Sequence, residues 1–205
     1  MEKLFTNVTL CCLMQFNMIG LCFLLYCLLL ISKKKLYVVD FGGALGTTYR
    51  QNKKYLDALS VPKKWGIVEQ SEYVQIGRSE FQDNTLHFYE SFSSIKFDID
   101  LIMLNGSLCY LKNPYKILDN IKSLKPKYVL FTRTPFVKSE EDELSIQIVS
   151  ENIYKASFPI WSFSELKIIN YLSDLYDVFE SWDDYLQADK DIVAKGILFK
   201  LKNIN

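Results

Sequence analysis

Two acidic residues and three glycines in the first third of the chain have types and spacing that suit ligand binding. Asp40 ends a short apolar run and is followed closely by Gly42, Gly43 and Gly46. Glu69 ends a second apolar run a little over twenty residues beyond the last of these glycines. Glycines let a backbone turn sharply and approach a ligand, and an acid at this spacing accepts hydrogen bonds from ribose hydroxyls in adenosine-binding folds. Together they predict an adenosine ligand.

The glycine loop alone is a weak signal, because glycine clusters also form plain turns between a strand and a helix. A helix beginning near Thr47 and Thr48 would present free backbone N–H groups, which suit a carboxylate or a phosphate. His87 is the only histidine. It has no cysteine or carboxylate partners at ligand spacing, so we expect no protein metal site and interpret His87 as a strand residue near the surface.

The elements that carry these residues alternate between strand and helix along the first two thirds of the chain. This pattern predicts right-handed crossovers and a parallel sheet, whose ligands bind beyond the carboxyl ends of the strands. Those ends are the loops after Asp40, Glu69, Asn105 and Phe131. The predicted strands are 36–40, 65–69, 86–89, a buried strand that ends at 105, and 127–131. The predicted helices are 47–59, 71–81, 114–124 and 165–172.

The last two apolar runs, 177–181 and 194–201, are joined by a loop without room for a crossover helix. They must therefore pair antiparallel. The predicted fold is an α/β, Rossmann-like, doubly wound sheet of seven strands, mostly parallel with a C-terminal antiparallel hairpin.

The alternation stops between about residues 135 and 163. Residues 145–149 favour an extra strand, whereas 153–163 is dense in aromatics without a helix or strand period. An insertion at the carboxyl edge of a sheet suits a lid or a substrate pocket. In the alternative interpretation, these aromatics only cover the edge of the sheet.

Composition bounds the functions that the chain can have. The 205 residues amount to one domain, and 24 basic residues balance 24 acidic ones. There is no basic stripe, and the aromatics fall mostly inside apolar runs, which together argue against a nucleic-acid partner. Four of the five cysteines lie in one apolar segment, so no disulfide framework is expected and the main domain is predicted to be cytoplasmic.

The N-terminal segment allows two interpretations. Residues 5–32 carry no charge, residues 18–31 are almost wholly apolar, and three lysines follow at 33–35. The length suits a membrane span of about 20 residues, with the lysines on the cytoplasmic side and membrane contact through residues 8–32. Alternatively, the second half is a helix packed on the sheet. The expected division is 1–32 for this segment and 33–205 for the main domain.

This layout resembles the S-adenosylmethionine-dependent class I methyltransferase superfamily. The residues that carry the resemblance are the loop Asp40-Phe-Gly42-Gly43-Ala44-Leu-Gly46, the acid Glu69, and the stretch from Phe97-Asp98 to Asn113-Pro114 around the fourth strand. One departure is Ala44, where many members of the superfamily have a glycine.

More narrowly, the chain resembles a family of uncharacterised proteins, regarded as methyltransferases, that is often associated with bacterial surface-polysaccharide genes. The resemblance covers residue 36 to the end. It rests on the Asp-Phe-Gly-Gly loop, Val68-Glu69-Gln70, Arg133-Thr134-Pro135, Gln147 and Tyr154-x-Ala156-Ser157-Phe158-Pro159-x-Trp161-x-Phe163-Ser164.

The resemblance implies S-adenosyl-L-methionine as the cofactor. The family's substrate does not carry over, and we expect an unidentified small-molecule or saccharide-type acceptor. The resemblance assigns Gly42, Gly43 and Gly46 to the methionine and adenosine, and Glu69 to the ribose. Asp40 would orient the loop or bind the amino group, Tyr89 would lie near the adenine, and Asn105 would line the site.

On the acceptor side, three residues are candidates. Arg133 can grip a carboxylate or phosphate through two parallel charge-assisted bonds, although a surface salt bridge is the alternative. Tyr154 and Trp161 would form the acceptor's wall. Tyr154 is the only candidate proton acceptor, and it needs a lowered pKa for that role.

Two other functions remain open from the sequence. A nicotinamide-dependent oxidoreductase also uses a glycine loop and an acid, but it does not explain the closing hairpin, and no catalytic tyrosine–lysine or histidine constellation is recognisable. A non-catalytic, membrane-tethered relative is favoured only by Ala44.

Overall fold

The computed structural model describes residues 35–149, 151–152, 155–189 and 191–203. Tyr154 and the segment 1–32 lie outside these residues, so the predictions for them are not tested. The described strands are β1 (Leu36–Phe41), β2 (Lys63–Val68), β3 (Leu86–Tyr89), β4 (Leu101–Asn105), β5 (Tyr128–Val137), β6 (Glu143–Ile148), β7 (Ser157–Ser164), β8 (Tyr176–Asp189) and β9 (Ile192–Leu201). The described α-helices are α1 (Thr47–Ala58), α2 (Ser71–Glu80), α3 (Pro114–Leu124) and α4 (Glu165–Leu172).

The central sheet has the strand order β3-β2-β1-β4-β5-β9-β8. Strands β1 to β5 run parallel, β9 runs antiparallel to β5, and β8 pairs antiparallel with β9. This arrangement confirms the predicted fold class. The strand order reverses between β1 and β4, and ligands of such sheets bind at this switch point.

Both faces of the central strands are buried, which is why these strands read as continuous apolar runs. Val38 and Val39 point to opposite faces of β1, and each has 0% of its surface exposed. On the first face, the core contains Tyr49 and Leu56 of α1 and Val74 of α2. On the second face it contains Leu118 and Ile121 of α3 and Ile168 and Leu172 of α4.

The predicted insertion forms an antiparallel hairpin of β6 and β7. The extra strand expected near residues 145–149 corresponds to β6. With β6 and β7, the described strands number nine. Strand β7 and the extension of β5 to Val137 were not predicted. Both come from long-range pairing: Phe136 and Val137 pair with β7 on one side and with β9 on the other.

Strand β6 is an edge strand, and among the described strands it pairs only with β7. Its residues Leu144, Ile146 and Ile148 are exposed. Within the described part of the chain, no helix combines the length and the apolar character needed to cross a membrane.

Candidate functional site

The glycine loop after β1 is shaped by the protein's own side chains. Gly42 and Gly46 have φ values of 72° and 83°, in the left-handed region that favours glycine. A Cβ on Gly42 would lie 2.5 Å from the Cβ of Ser107, and one on Gly43 would lie 2.7 Å from the carboxyl group of Asp40. Internal packing therefore requires glycine at positions 42 and 43, whatever ligand the loop binds.

Asp40 lies beneath this loop rather than at its surface. Its side chain is fully buried, and neither carboxyl oxygen makes a hydrogen bond in the described structure. Burial raises the pKa of Asp40 to about 7. The neighbouring Trp65 indole and Thr48 hydroxyl oppose this rise without reaching hydrogen-bond geometry, and the charge of Glu69 adds to it. The position suits the predicted role of Asp40 in orienting the loop.

Glu69 follows the end of β2 and turns its carboxylate toward the loop. Its Oε1 accepts a 3.3 Å hydrogen bond from the backbone N–H of Ala44, and its Oε2 accepts a 2.8 Å bond from that of Gln70. Glu69 is half-buried. The structure therefore brings together the acid and the loop that the sequence paired.

The first turn of α1 lies next to the glycine loop in sequence and contributes backbone N–H groups. The helix begins after Gly46, which has no side chain to cap it, so the first backbone N–H groups have no side-chain acceptor at this position. An uncapped helix start of this kind favours a carboxylate or phosphate oxygen.

Tyr89 ends β3, but its ring lies back over the sheet. The ring carbons are 3.1 and 3.3 Å from the position of a Cβ on Gly66, and the ring of Phe97 packs edge-on at 6.4 Å. Burial raises the pKa of Tyr89. Tyr89 thus sits on the second face of the sheet beside the site, and its predicted contact with an adenine stays a prediction.

The loop after β4 faces the glycine loop across the switch point. Thr132 at the neighbouring position of β5 donates a 3.0 Å hydrogen bond to Oδ1 of Asn105, which fixes the amide and directs its Nδ2 away from Thr132. Ser107 donates a 2.7 Å bond from its hydroxyl to the carbonyl oxygen of Phe41. Ser107 thus joins the two loops. It was part of the predicted motif, although no sequence pattern indicates this contact.

Arg133 lies in a bulge of β5, where the pairing with β9 shifts between Phe131 and Thr134. Its φ is 53°, and its backbone N–H donates a 2.7 Å bond to Oδ2 of Asp184 on β8. Among the described residues, no carboxylate lies within ion-pairing distance of its guanidinium, and the side chain is half-buried. The surface salt bridge that the sequence allowed is absent from the described structure.

Asp184 is a second residue that sequence reasoning missed. Its Oδ1 also accepts a 3.3 Å bond from the indole N–H of Trp182. Burial raises the pKa of Asp184, while the bond from the Arg133 N–H and the Arg133 charge oppose the rise. Asp184 comes from the closing hairpin, far along the chain from the strand it stabilises, and no local pattern could have indicated it.

The β6–β7 hairpin is fastened to the loop after β4. The indole N–H of Trp161 donates a 3.0 Å bond to the carbonyl oxygen of Leu111. The hydroxyl of Tyr110 donates a 3.1 Å bond to Oε1 of the buried Gln147, and its ring packs edge-on against Phe158. Trp161 therefore anchors the hairpin to the loop after β4. Its predicted place in the wall of an acceptor site stays a prediction.

A second contact holds the start of the hairpin. Asp142 accepts a 2.7 Å bond from the hydroxyl of Tyr115 and a 2.9 Å bond from the backbone N–H of Ser164. Burial and the nearby Asp142 raise the pKa of Tyr115. The hairpin is therefore attached to α3 as well as to the loop after β4.

No protein-family model matches the sequence, and no curated protein matches it in sequence. Solved structures do match. An S-adenosylmethionine-dependent methyltransferase from Methanosarcina mazei is 15% identical, with 84% of this chain and 95% of that chain covered and a TM-score of 0.53. The chain has a class I methyltransferase fold.

Two further methyltransferase structures show the same fold. Magnesium protoporphyrin IX methyltransferase from Synechocystis, solved with bound S-adenosylmethionine, has a TM-score of 0.60 at 9% identity, with 89% of this chain and 78% of that chain covered. A methyltransferase from Clostridium acetobutylicum has a TM-score of 0.52 at 14% identity, with 91% and 89% covered. At these identities the likeness concerns the methyltransferase fold alone.

Proposed function

We propose that this protein is an S-adenosylmethionine-dependent methyltransferase that acts on a small-molecule or saccharide-type acceptor. The observation that carries this proposal is the contact between Glu69 and the glycine loop. The acid after β2 lies 3.3 Å from the N–H of Ala44, at the switch point of a sheet with the methyltransferase strand order. This proximity, on the edge of the sheet where ligands bind, supports an adenosine site.

The residues present fit the cofactor. Glu69 would accept hydrogen bonds from the ribose hydroxyls, and the uncapped first turn of α1 would receive the methionine carboxylate. Gly42, Gly43 and Gly46 would let the cofactor lie against the backbone, with Asp40 beneath the loop maintaining its shape. When bound, the cofactor supplies a methyl group that its sulfonium has already activated.

The chain's own task is to position the acceptor and to exclude water, and positioning alone can lower a barrier by several kcal/mol. Arg133 would bind an anionic group of the acceptor, because its guanidinium has no ion-pair partner in the described residues. Asn105 would donate from its Nδ2, since its Oδ1 already accepts from Thr132. Trp161 and Tyr154 remain proposed for the acceptor's wall, and Tyr154 for the proton acceptor.

The finer parts of the proposal rest on the sequence. The resemblance to a family associated with bacterial surface-polysaccharide genes supports a saccharide-type acceptor. The balanced charge and the cysteine pattern support a cytoplasmic location for the main domain, with no nucleic-acid partner.

Calorimetric titration of the full chain with S-adenosylmethionine, its demethylated product and NAD tests the proposal. We expect binding of the first two ligands and none of NAD. A folded preparation that binds NAD instead is an oxidoreductase, and one that binds none of the three is a non-catalytic relative. If the cofactor binds, a screen of lysate fractions with labelled methyl donor identifies the acceptor.

A further inference from the structure

Two side chains that donate N–H hydrogen bonds start side by side at the carboxyl ends of β4 and β5. Asn105 pairs with Thr132 across these strands, and the backbone N–H of Gly106 donates a 2.9 Å bond to the carbonyl oxygen of Thr132. Gly106 has a φ of 64°, and a Cβ on it would lie 3.7 Å from the Cβ of Arg133. The side chain of Arg133 therefore starts beside the turn that follows Asn105.

The backbone around Arg133 is held in an unusual conformation. A φ of 53° is costly for a residue with a side chain, and such conformations persist where the surrounding structure holds them, often at ligand sites. Here Asp184 on β8 accepts a 2.7 Å bond from the backbone N–H of Arg133. Within the described residues, no carboxylate lies within ion-pairing distance of the guanidinium, so its charge favours an anionic ligand.

The amide of Asn105 adds a neutral donor at the same place. Its Oδ1 accepts the 3.0 Å bond from the Thr132 hydroxyl, which leaves Nδ2 to donate elsewhere. Neither this Nδ2 nor the guanidinium of Arg133 can accept a hydrogen bond. The pair matches an oxygen that accepts hydrogen bonds and carries negative charge. It disfavours an ammonium group, which has only donors and a charge of the same sign as Arg133.

The carboxylates of the candidate site are committed to other contacts. Asp40 is fully buried beneath the glycine loop, and Glu69 accepts from two backbone N–H groups. Asp184 already accepts from the backbone of β5. His87, the only histidine of the sequence, lies on β3, three strands along the sheet from β4. A hydroxyl or ammonium acceptor must lose a proton during methylation, whereas a carboxylate is already ionised near neutral pH.

We propose that the methylated group is a carboxylate of the acceptor and that the product is a methyl ester, an inference that rests on the proposed methyltransferase function. For a saccharide-type acceptor, this carboxylate is that of a uronic acid. The Nδ2 of Asn105 and the guanidinium of Arg133 would donate to one carboxylate oxygen, which has lone pairs for both. The other oxygen is left to attack the methyl group.

This step balances without a base. An electron pair of the attacking carboxylate oxygen forms the new bond to the methyl carbon, and the pair of the broken methyl–sulfur bond stays on sulfur. The negative charge of the carboxylate and the positive charge of the sulfonium cancel, and no proton is released. Tyr154 would then line the acceptor's wall without accepting a proton.

The chemistry of the product tests the proposal. The full chain is incubated with lysate fractions and methyl-labelled S-adenosylmethionine, and the labelled product is then treated with dilute alkali. Alkali hydrolyses a methyl ester and releases the label as volatile methanol, whereas methyl ethers and methylamines keep it. We expect the label to become volatile. Label that stays with the product would overturn the proposal.

Side-chain N–H resonances give a readout that does not depend on turnover. Protein saturated with the demethylated cofactor product is titrated with acetate, D-glucuronate and, as the neutral match, D-glucose. We expect the two carboxylates to shift the signals of Asn105 and Arg133, and D-glucose to leave them unchanged. Thr132→Val removes the hydroxyl that orients Asn105 and should reduce its response, whereas the matched Thr132→Ser keeps a hydroxyl and should retain it.

Two results of the titration would overturn the proposal. One is an equal shift with D-glucose, and the other is the absence of a shift with both carboxylates in protein that binds the cofactor. Failure of the proposed function looks different, because the protein then does not bind S-adenosylmethionine at all. Protein that binds S-adenosylmethionine and yields an alkali-stable product contradicts only the assignment of a carboxylate.

Discussion

The hydroxyl of Ser107 donates a 2.7 Å hydrogen bond to the carbonyl oxygen of Phe41, while its Cβ occupies the space that a side chain on the next residue, Gly42, would need. One small residue after β4 thus fixes both the position and the composition of the loop after β1. The two loops on either side of the switch point behave as one unit, and this unit includes the candidate cofactor site.

Gly42→Ala should destabilise the protein by about 2–4 kcal/mol, because overpacking against Ser107 adds to the left-handed φ of 72°. The double variant Gly42→Ala, Ser107→Gly should recover part of this loss, since the obstructing Cβ is gone. Denaturant unfolding measures the free energies. The matched double variant with Ser107→Ala retains the Cβ and should show no recovery, and equal recovery in both would contradict the packing argument.

Glu69→Ala should weaken binding of S-adenosylmethionine by about 10- to 100-fold. Each hydrogen bond to a charged group contributes about 1.5–3 kcal/mol, and tenfold in affinity corresponds to about 1.4 kcal/mol. Calorimetric titration measures the affinity, and thermal unfolding checks that the fold is intact. Glu72→Gln, in the exposed first turn of α2, is the control and should bind normally. Unchanged affinity in Glu69→Ala would refute the ribose role.

Arg133→Ala and Arg133→Gly should reduce methyl transfer equally, because both lose the guanidinium, and both should bind the cofactor normally. They should differ in stability. The φ of 53° suits glycine, so Arg133→Gly should be more stable than Arg133→Ala by about 1 kcal/mol. Turnover assays and denaturant unfolding measure the two effects. Loss of cofactor binding in both variants would mean that Arg133 is structural.

Stability should depend on pH through Asp40. Its pKa is raised from 3.8 to about 7 in the folded protein, so between these values the folded state binds a proton that the unfolded state has released. The contribution of Asp40 to the free energy of unfolding is therefore greatest below about pH 4. It falls as the pH rises to 7 and then stays level, with a total loss of about 4 kcal/mol.

Asp40→Asn cannot ionise and should lack this fall, so its stability relative to wild type should increase from pH 5 to pH 8. Denaturant unfolding at several pH values measures the difference. Parallel pH profiles for the two proteins would show that Asp40 is ionised in the fold throughout this range.

Trp161→Phe should loosen the β6–β7 hairpin while retaining an aromatic ring. The change removes the 3.0 Å hydrogen bond from the Trp161 indole to the carbonyl oxygen of Leu111. Loss of this bond should lower the free energy of unfolding by about 1–3 kcal/mol. Hydrogen exchange over residues 143–164 should accelerate, with little change around the glycine loop. Tyr110→Phe, which removes the bond to Gln147, should act in the same direction. Faster exchange at the glycine loop alone would contradict this anchoring role.

The elements that were predicted well are those whose signal is local. Buried parallel strands such as β1 and β4 are short apolar runs between polar turns, and Pro114 and Ser164 mark the starts of α3 and α4. Glu69 also lies within hydrogen-bond distance of the glycine loop, because only one crossover separates them, while their predicted ligand roles stay predictions.

The elements that were missed depend on distant partners. Strand β7 contains Pro159 and several aromatics without alternation, and it exists because β6 pairs with it and Val137 continues its edge. Asp184 stabilises the bulge at Arg133 from more than fifty residues away in sequence. Tertiary pairing of this kind leaves no periodic trace in either strand.

Strand β5 ends at Val137 and β7 ends at Ser164, and these two residues are paired neighbours on adjacent strands. The hairpin between them is therefore a module whose two ends meet, so evolution or a designer can exchange it for another segment without cutting any of the seven strands of the central sheet. Under the proposed function, such an exchange would change the surface offered to the acceptor and leave the loops after β1 and β2 unchanged.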